Sequence, residues 1–201
     1  MLTRLCSTLA FLLMTLVTTA ELAAQPDLPG RAATRAGSTE AAVYAALLDS
    51  IGPKPLPDTL LLGDTTLSFR MPSREVPAEW RAQFDSIPED LPLKLEEASL
   101  RRRPSSELRL PRPASFVTRT ELIDIFVNGP HGWQDFYQRY PAHRGYMESS
   151  PIAFTTDSLN ALVYYEYRCG GLCGHGEVVW LRRQTRDAPW RIRKRIELWI
   201  S

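Results

Sequence analysis

The chain has 201 residues, 44% of them hydrophobic, with 24 Lys and Arg against 23 Asp and Glu and a formal net charge of +1. A balance this close to zero excludes bulk attraction to nucleic acid as the organising feature. The length suits one domain able to bury about 70% of its unfolded surface.

Met1 to Arg4 carries one positive charge, Leu5 to Val17 is an apolar run, and Thr18, Thr19 and Ala20 are small. That order is the layout of a secretory signal peptide, with cleavage expected after residues 1–20 and an uncleaved anchor as the alternative. The run is short for a retained spanning helix, so no transmembrane span is expected once the signal is removed. Cys6 and Arg4 leave with it, after which bases and acids balance. The expected location is secreted or periplasmic, in the cell envelope.

Residues 21–37 are rich in Pro, Gly, Ala and Arg without periodicity and read as a disordered lead-in. A single domain is expected over 38–201. It opens with a helix capped by Ser38 or Thr39, carrying Val43, Leu47, Tyr44, Leu48 and Ile51 at helical spacings and stopped by Gly52-Pro53. Thr59 to Phe69 reads as an extended strand with a bend at Gly63-Asp64. Pro77 to Ile87 reads as a second helix, with Pro in its first turn and Trp80, Phe84 and Ile87 along one face. Five prolines between Pro88 and Pro113 predict an extended covering segment. Thr118 and Glu121 stand in capping-box spacing ahead of Leu122, Ile125 and Phe126, and Asn128-Gly129-Pro130 ends that helix. A further helix places Trp133, Phe136, Tyr137 and Tyr140 on one face, an aromatic stripe read as core.

From Ile152 the period changes to two. Ile152 to Thr156, Asn160 to Cys169, Gly176 to Gln184 and Trp190 to Ile200 read as strands, with a turn over Thr185 to Pro189. In the last, Trp190, Ile192, Ile196, Leu198 and Ile200 are expected to face the core and Arg191, Arg193, Arg195 and Glu197 the other way. Helices first and strands last give an α+β class. Short N-terminal helices should pack on one antiparallel sheet that ends in a C-terminal meander of at least four strands.

The stretch CGGLCGHG, Cys169 to Gly176, holds the two cysteines left after export. In an oxidising compartment this pair reads first as a disulfide across a hairpin connection, with Gly170, Gly171, Gly174 and Gly176 supplying positive φ angles. Free thiols, a metal site built on Cys169, Cys173 and His175, and a cysteine nucleophile are the alternatives. The metal reading lacks a fourth nearby ligand and needs thiolates that such a compartment opposes, so neither metal nor cofactor is expected.

Charge is uneven along the chain: Ser38 to Ser99 holds 11 acids and 5 bases, whereas Glu177 to Ser201 holds 7 bases and 3 acids. Arg191, Arg193 and Arg195 therefore form a candidate anion-binding face, against the alternative of a solvated strand. Nucleic acid could use such a face, but export argues against it. Asp64, Asp124 and Glu166 are single acids along the chain, able to pair only in space.

Trp133-x-x-Phe136-Tyr137-x-x-Tyr140-Pro141, Gly145, Ala161-Leu162-Val163-Tyr164, Cys169-Gly170-x-x-Cys173-Gly174-x-Gly176 and Trp199-x-Ser201 follow one another over about the last seventy residues. This succession resembles an uncharacterised family of exported bacterial proteins. The resemblance implies the bacterial envelope and no particular activity. His143 stands where those relatives often carry Ser. The expected function is a non-enzymatic binding domain for a protein or envelope component. A small hydrolase or other enzyme whose acids converge only on folding, or a small-ligand carrier, is the alternative. Expressed with its own N-terminus in a Gram-negative host, the protein should appear outside the cytoplasm about twenty residues shorter. Its intact mass should rise by two hydrogens on reduction; full-length protein in the cytoplasm would contradict the export reading.

Overall fold

The computed structural model describes residues 29–51, 58–71 and 78–201. The expected signal, residues 21–28 of the lead-in, the Gly52-Pro53 stop and Pro77 lie outside them. Helix α1 spans Pro29–Leu48 and thus takes in residues 29–37, expected as part of the lead-in. The reason is local: proline is tolerated in a first helical turn, and the alanines and arginines that follow it have high helix propensity without any apolar period. Val43, Tyr44, Leu47 and Leu48 form its buried face.

The sheet order is β2-β1-β3-β5-β6-β7, with β4 pairing β5 beside this path. The strands are β1 (Leu60–Gly63), β2 (Ala114–Val117), β3 (Tyr146–Ser149), β4 (Ala153–Phe154), β5 (Asn160–Arg168), β6 (Gly174–Arg182) and β7 (Arg191–Ile200). The α+β class and the C-terminal meander are as the sequence indicates. The sheet is mixed rather than antiparallel, because β1 runs parallel to both β2 and β3. Between β1 and β2 lie α2 (Ala78–Arg81), a 3-10 turn (Ala82–Phe84) and α3 (Asp90–Leu100); α4 (Arg119–Ile123), a π-turn (Asp124–Asn128) and α5 (Trp133–Arg139) follow β2. Parallel strands require such crossovers.

Helix α3 replaces part of the extended segment expected from the prolines. Pro92 sits in its first turn, where a missing N–H breaks no helical hydrogen bond, so the ring does not stop the helix. Leu91, Leu95 and Ser99 then recur on its buried side. The Ser99 hydroxyl accepts from the Phe69 N–H at 2.8 Å and donates to the Phe69 carbonyl at 3.1 Å, holding the chain beyond β1. The capping box of α4 is formed as predicted, with Thr118 Oγ1 accepting from Glu121 N and Thr118 N donating to Glu121 Oε2.

Both faces of the sheet are covered. On one, α1 packs with Val163, Tyr165, Val179, Leu181 and Trp190. On the other, Phe84, Ile87, Leu91 and Leu95 pack with Leu162, Tyr164, Val178 and Ile196. Strand β5 is therefore buried on both sides over Ala161–Glu166, not on one as its alternation suggested. Alternating β5 side chains are aromatic or aliphatic on both faces, so either face can be closed.

Two register shifts interrupt the β6–β7 pairing, one between Trp180 and Leu181 and one between Gly176 and Glu177. Ile192 pairs Leu181 and packs with α1, whereas Ile196 pairs Val178 and packs with α3. The single apolar stripe expected on β7 is thus divided between opposite faces, because a bulge inserts one residue and inverts the alternation beyond it. Near its end Leu198 packs on the α3 side, and Trp199 turns the same way to cover Gly174 and Gly176. A Cβ at Gly174 would lie 2.6 Å from Ser201 Oγ, and one at Gly176 would collide with the Trp199 ring. Ile196→Asp should cost about 3 kcal/mol or more, since it places a charge at a fully buried position, whereas Arg193→Gln should change stability by less than about 0.5 kcal/mol. Equal losses in thermal or denaturant unfolding would show that the two positions are wrongly placed.

Candidate functional site

Cys169 and Cys173 are joined, with S–S 2.08 Å and Cα–Cα 5.1 Å, across the turn from β5 to β6. Within this turn only Gly170 has the positive φ expected of the glycines, at +147°. Gly174 and Gly176 already belong to β6 and are small for a different reason, the close approach of Trp199. His175 lies against β5, with Nε2 3.1 Å from the Tyr165 hydroxyl and its ring beside Tyr165 and Tyr167. Among the described residues no group of three His, Cys, Asp or Glu is arranged to hold a metal ion.

The three arginines of the candidate anion-binding face part company. Arg195 lies on the α1 side of the sheet, ion-paired to Glu177; it donates to the Tyr165 hydroxyl at 3.1 Å and to Ser50 Oγ. It joins β7 to the end of α1 and is already satisfied. Arg191 and Arg193 lie at the other end of β7, where they line a pocket of about 400 Å³ with Arg182, Arg183, Gln184, Ala188 and Pro189. Arg182 and Arg191 are direct cross-strand partners. Arg182, Arg191 and Arg193 are exposed, and none has an acidic side chain within ion-pair distance among the described residues. Behind them Arg183 is buried, its guanidinium 4.6 Å from the Trp190 ring centroid and its Nε donating to the Ser158 carbonyl at 2.9 Å. It stiffens the hairpin from which the other three project.

A second charged group forms where β3 meets β5. Glu148 and Glu166 are cross-strand partners, and Arg168 reaches both, paired closely to Glu166 and at 3.9 Å from Glu148. Tyr164 donates to Glu166 Oε1, and Trp199 Nε1 donates to the Tyr164 hydroxyl at 3.2 Å. The Arg168 guanidinium lies 4.8 Å from the Trp199 ring centroid. Burial raises the Glu148 carboxyl above its ordinary 4.5, and Glu166 and Asp64 add to the shift against Arg168 and Arg102. Asp64, Glu148 and Glu166 are the convergence of acids that single positions along the chain could not reveal. Glu148 carries no sequence signal, because β3 has only four residues; once β3 is placed, the alternation of Tyr164, Glu166 and Arg168 along β5 identifies its partners.

Two further pockets lie apart from these carboxylates. One of about 530 Å³ between α2 and α3 is lined by Met71, Arg81, Phe84, Asp85, Ile87, Glu89, Pro92 and Leu93. The other, of about 440 Å³, lies beside the disulfide. No helix among the described residues is long and apolar enough to cross a membrane. No family model matches the chain, and neither a curated protein nor a solved structure matches it.

Because the folded state binds the Glu148 proton more tightly than the unfolded chain, the associated stability is full below pH 4.5 and is lost as pH rises through the raised folded value. Glu148→Gln should abolish this loss while leaving Arg168 paired with Glu166. The melting temperature of the variant should therefore gain on the wild type as pH rises from 4.5 toward neutrality. A constant difference between the two across that range would contradict the assignment.

Proposed function

We propose that the chain is an exported, non-enzymatic binding domain of the bacterial envelope that holds a phosphate- or carboxylate-bearing component at Arg182, Arg191 and Arg193. The observation that carries this reading is the convergence on one pocket, at the end of the β6–β7 hairpin, of three guanidinium groups with no carboxylate within ion-pair distance among the described residues. Like charges directly opposed across strands repel and cost stability. A bound anion offsets that cost, and the planar fork of arginine suits two oxygens of one phosphate or carboxylate. The disulfide supports an oxidising location, as does the resemblance over the last seventy residues. Nucleic acid is set aside on the same ground of location.

A second reading, an acid–base enzyme, draws on one observation: Glu148 has a raised carboxyl beside Glu166. Glu166, however, is already closed by Arg168 and Tyr164, which accounts for the group as a buried charge network. The binding reading is tested with tripolyphosphate and with phosphatidylglycerol vesicles, titrated into the mature protein at rising salt. Binding of tripolyphosphate should weaken with salt and fall about tenfold for each of Arg191→Gln and Arg193→Gln. Vesicle binding lost in the same variants would identify a lipid headgroup as the source of the anion, and its absence a soluble or polymeric one. Tripolyphosphate binding equal in the double variant and the wild type would overturn the proposal.

A further inference from the structure

The pocket of about 440 Å³ beside the disulfide is independent of the arginine site and differs from it in chemistry. Its walls are Tyr137 of α5, Pro141, His143 and Arg144 of the loop before β3, Tyr167 of β5, and Cys169 with Cys173. This volume lies in the range of small-molecule sites, and the walls combine apolar area with few polar groups, as such sites do.

The walls are held from several directions. Tyr137 donates its hydroxyl to the Cys169 carbonyl at 2.7 Å, fixing the ring against the cross-linked turn. The His143 N–H donates to the Tyr140 carbonyl at 3.0 Å, and Pro141 stiffens the same loop. Gly145 has φ +151°, and a Cβ there would collide with the Arg168 carbonyl, so only glycine lets this loop lie against the end of β5. Two rings, a proline and a cross-linked turn are thus set in place before any ligand arrives, which lowers the ordering cost of binding.

The polar groups of the pocket remain uncommitted, in contrast to the spent hydroxyl of Tyr137. Arg144 is exposed, and its guanidinium has no hydrogen-bond or ion-pair partner among the described residues. It is near enough to Tyr167 to act electrostatically on its phenol, whose hydroxyl likewise has no hydrogen-bond partner among the described residues. His143 Nδ1 is buried without a partner, and burial lowers the affinity of the ring for a proton, leaving a neutral imidazole in the wall. One cation and one phenol donor beside aromatic and apolar surface match a ligand with a single carboxylate on an apolar body. They do not match a polyanion, for which one guanidinium is too little charge.

We infer that the pocket formed by Tyr137, His143, Arg144, Tyr167 and the Cys169–Cys173 turn binds a small aromatic monocarboxylate. Its carboxylate is held by the Arg144 guanidinium and the Tyr167 hydroxyl, and its ring lies against Tyr137 and Pro141. The disulfide is part of the site because it holds the Cys169 carbonyl to which Tyr137 is anchored.

N-acetyltyrosine and N-acetyltyrosinamide, which differ in charge at one end, serve as probes. Each is titrated up to about 10 mM into the oxidised mature protein, a concentration that reveals millimolar affinity. Backbone amide NMR shifts are followed, with Trp133, whose ring centroid is 5.8 Å from that of Tyr137, as a fluorescent reporter. The carboxylate probe should shift the amides of residues 143–145 and 167–173 and bind about tenfold more tightly than the amide probe. Arg144→Gln should erase that preference, and the double variant Cys169→Ser/Cys173→Ser should weaken the carboxylate probe. Arg191→Gln should leave the shifts of residues 143–145 and 167–173 unchanged, which separates this site from the arginine pocket. No shift at these residues, equal affinity for the two probes, or a preference retained in Arg144→Gln would overturn the inference. Each variant is checked for a wild-type pattern of amide shifts at α1 and α3, so that loss of binding is read only in folded protein.

Discussion

Burial of β5 on both faces is the constraint around which the molecule is arranged. A strand enclosed in this way cannot return its polar groups to water, so each needs a partner inside the protein. The Tyr164 hydroxyl is placed between Glu166 and Trp199, and the Tyr165 hydroxyl among Glu177, His175 and Arg195. The strand edge is completed by β3 and β4 in succession. Between them Ser150 donates its N–H to the Tyr164 carbonyl at 2.8 Å and accepts from Tyr164 N through its hydroxyl at 3.0 Å. Aromatic bulk fills both faces while the hydroxyl tips carry the polar accounting.

The bulges in β7 solve a related problem at the sheet edge. A regular strand would send its apolar residues to one face and its cations to the other. With the alternation inverted after Ile192, Arg195 turns toward α1, while Lys194 donates to Gln83 O and to Ser86 Oγ on the opposite side. Adjacent residues of one edge strand thereby hold covering segments on both faces. The same inversion leaves Arg191 and Arg193 at the hairpin end with Arg182, without an ion pair among the described residues, and so creates the pocket that Arg195 does not enter. Charge along this edge also discourages pairing with another chain.

The turn from β5 to β6 brings separate parts of the sequence together. Gly174 and Gly176 admit the Trp199 ring, and the Ser201 N–H donates to the Gly174 carbonyl at 2.9 Å, so the last residues close against the strand that follows the disulfide. Tyr137, on α5, binds the carbonyl of Cys169 from the other side. A chain-entropy gain of about 2 kcal/mol for so short a loop makes the disulfide a modest contributor to global stability. Its larger effect is positional, since it fixes the wall of a pocket and the start of β6.

The local features were legible along the chain: the capping box at Thr118 and Glu121, the core face of α5 apart from Tyr137, which is exposed, the three long strands of the meander and the Cys169–Cys173 bridge. Each depends on residues close along the chain, where spacing maps directly onto a helical turn, a pleat or a short loop. The N-terminal extent of α1 and the existence of α3 were less legible, because alanine-rich propensity and a first-turn proline give no apolar period. The parallel pairing of β1 with β2 and β3, the double burial of β5 and the division of β7 between two faces were set only when distant segments met. These depend on which short strands lie side by side and on where one extra residue is accommodated in a ladder. The convergence of Glu148 with Glu166, and the parting of Arg195 from Arg191 and Arg193, follow from those choices. A period of two states that neighbours alternate, but it cannot state what covers either face or where a bulge reverses the alternation.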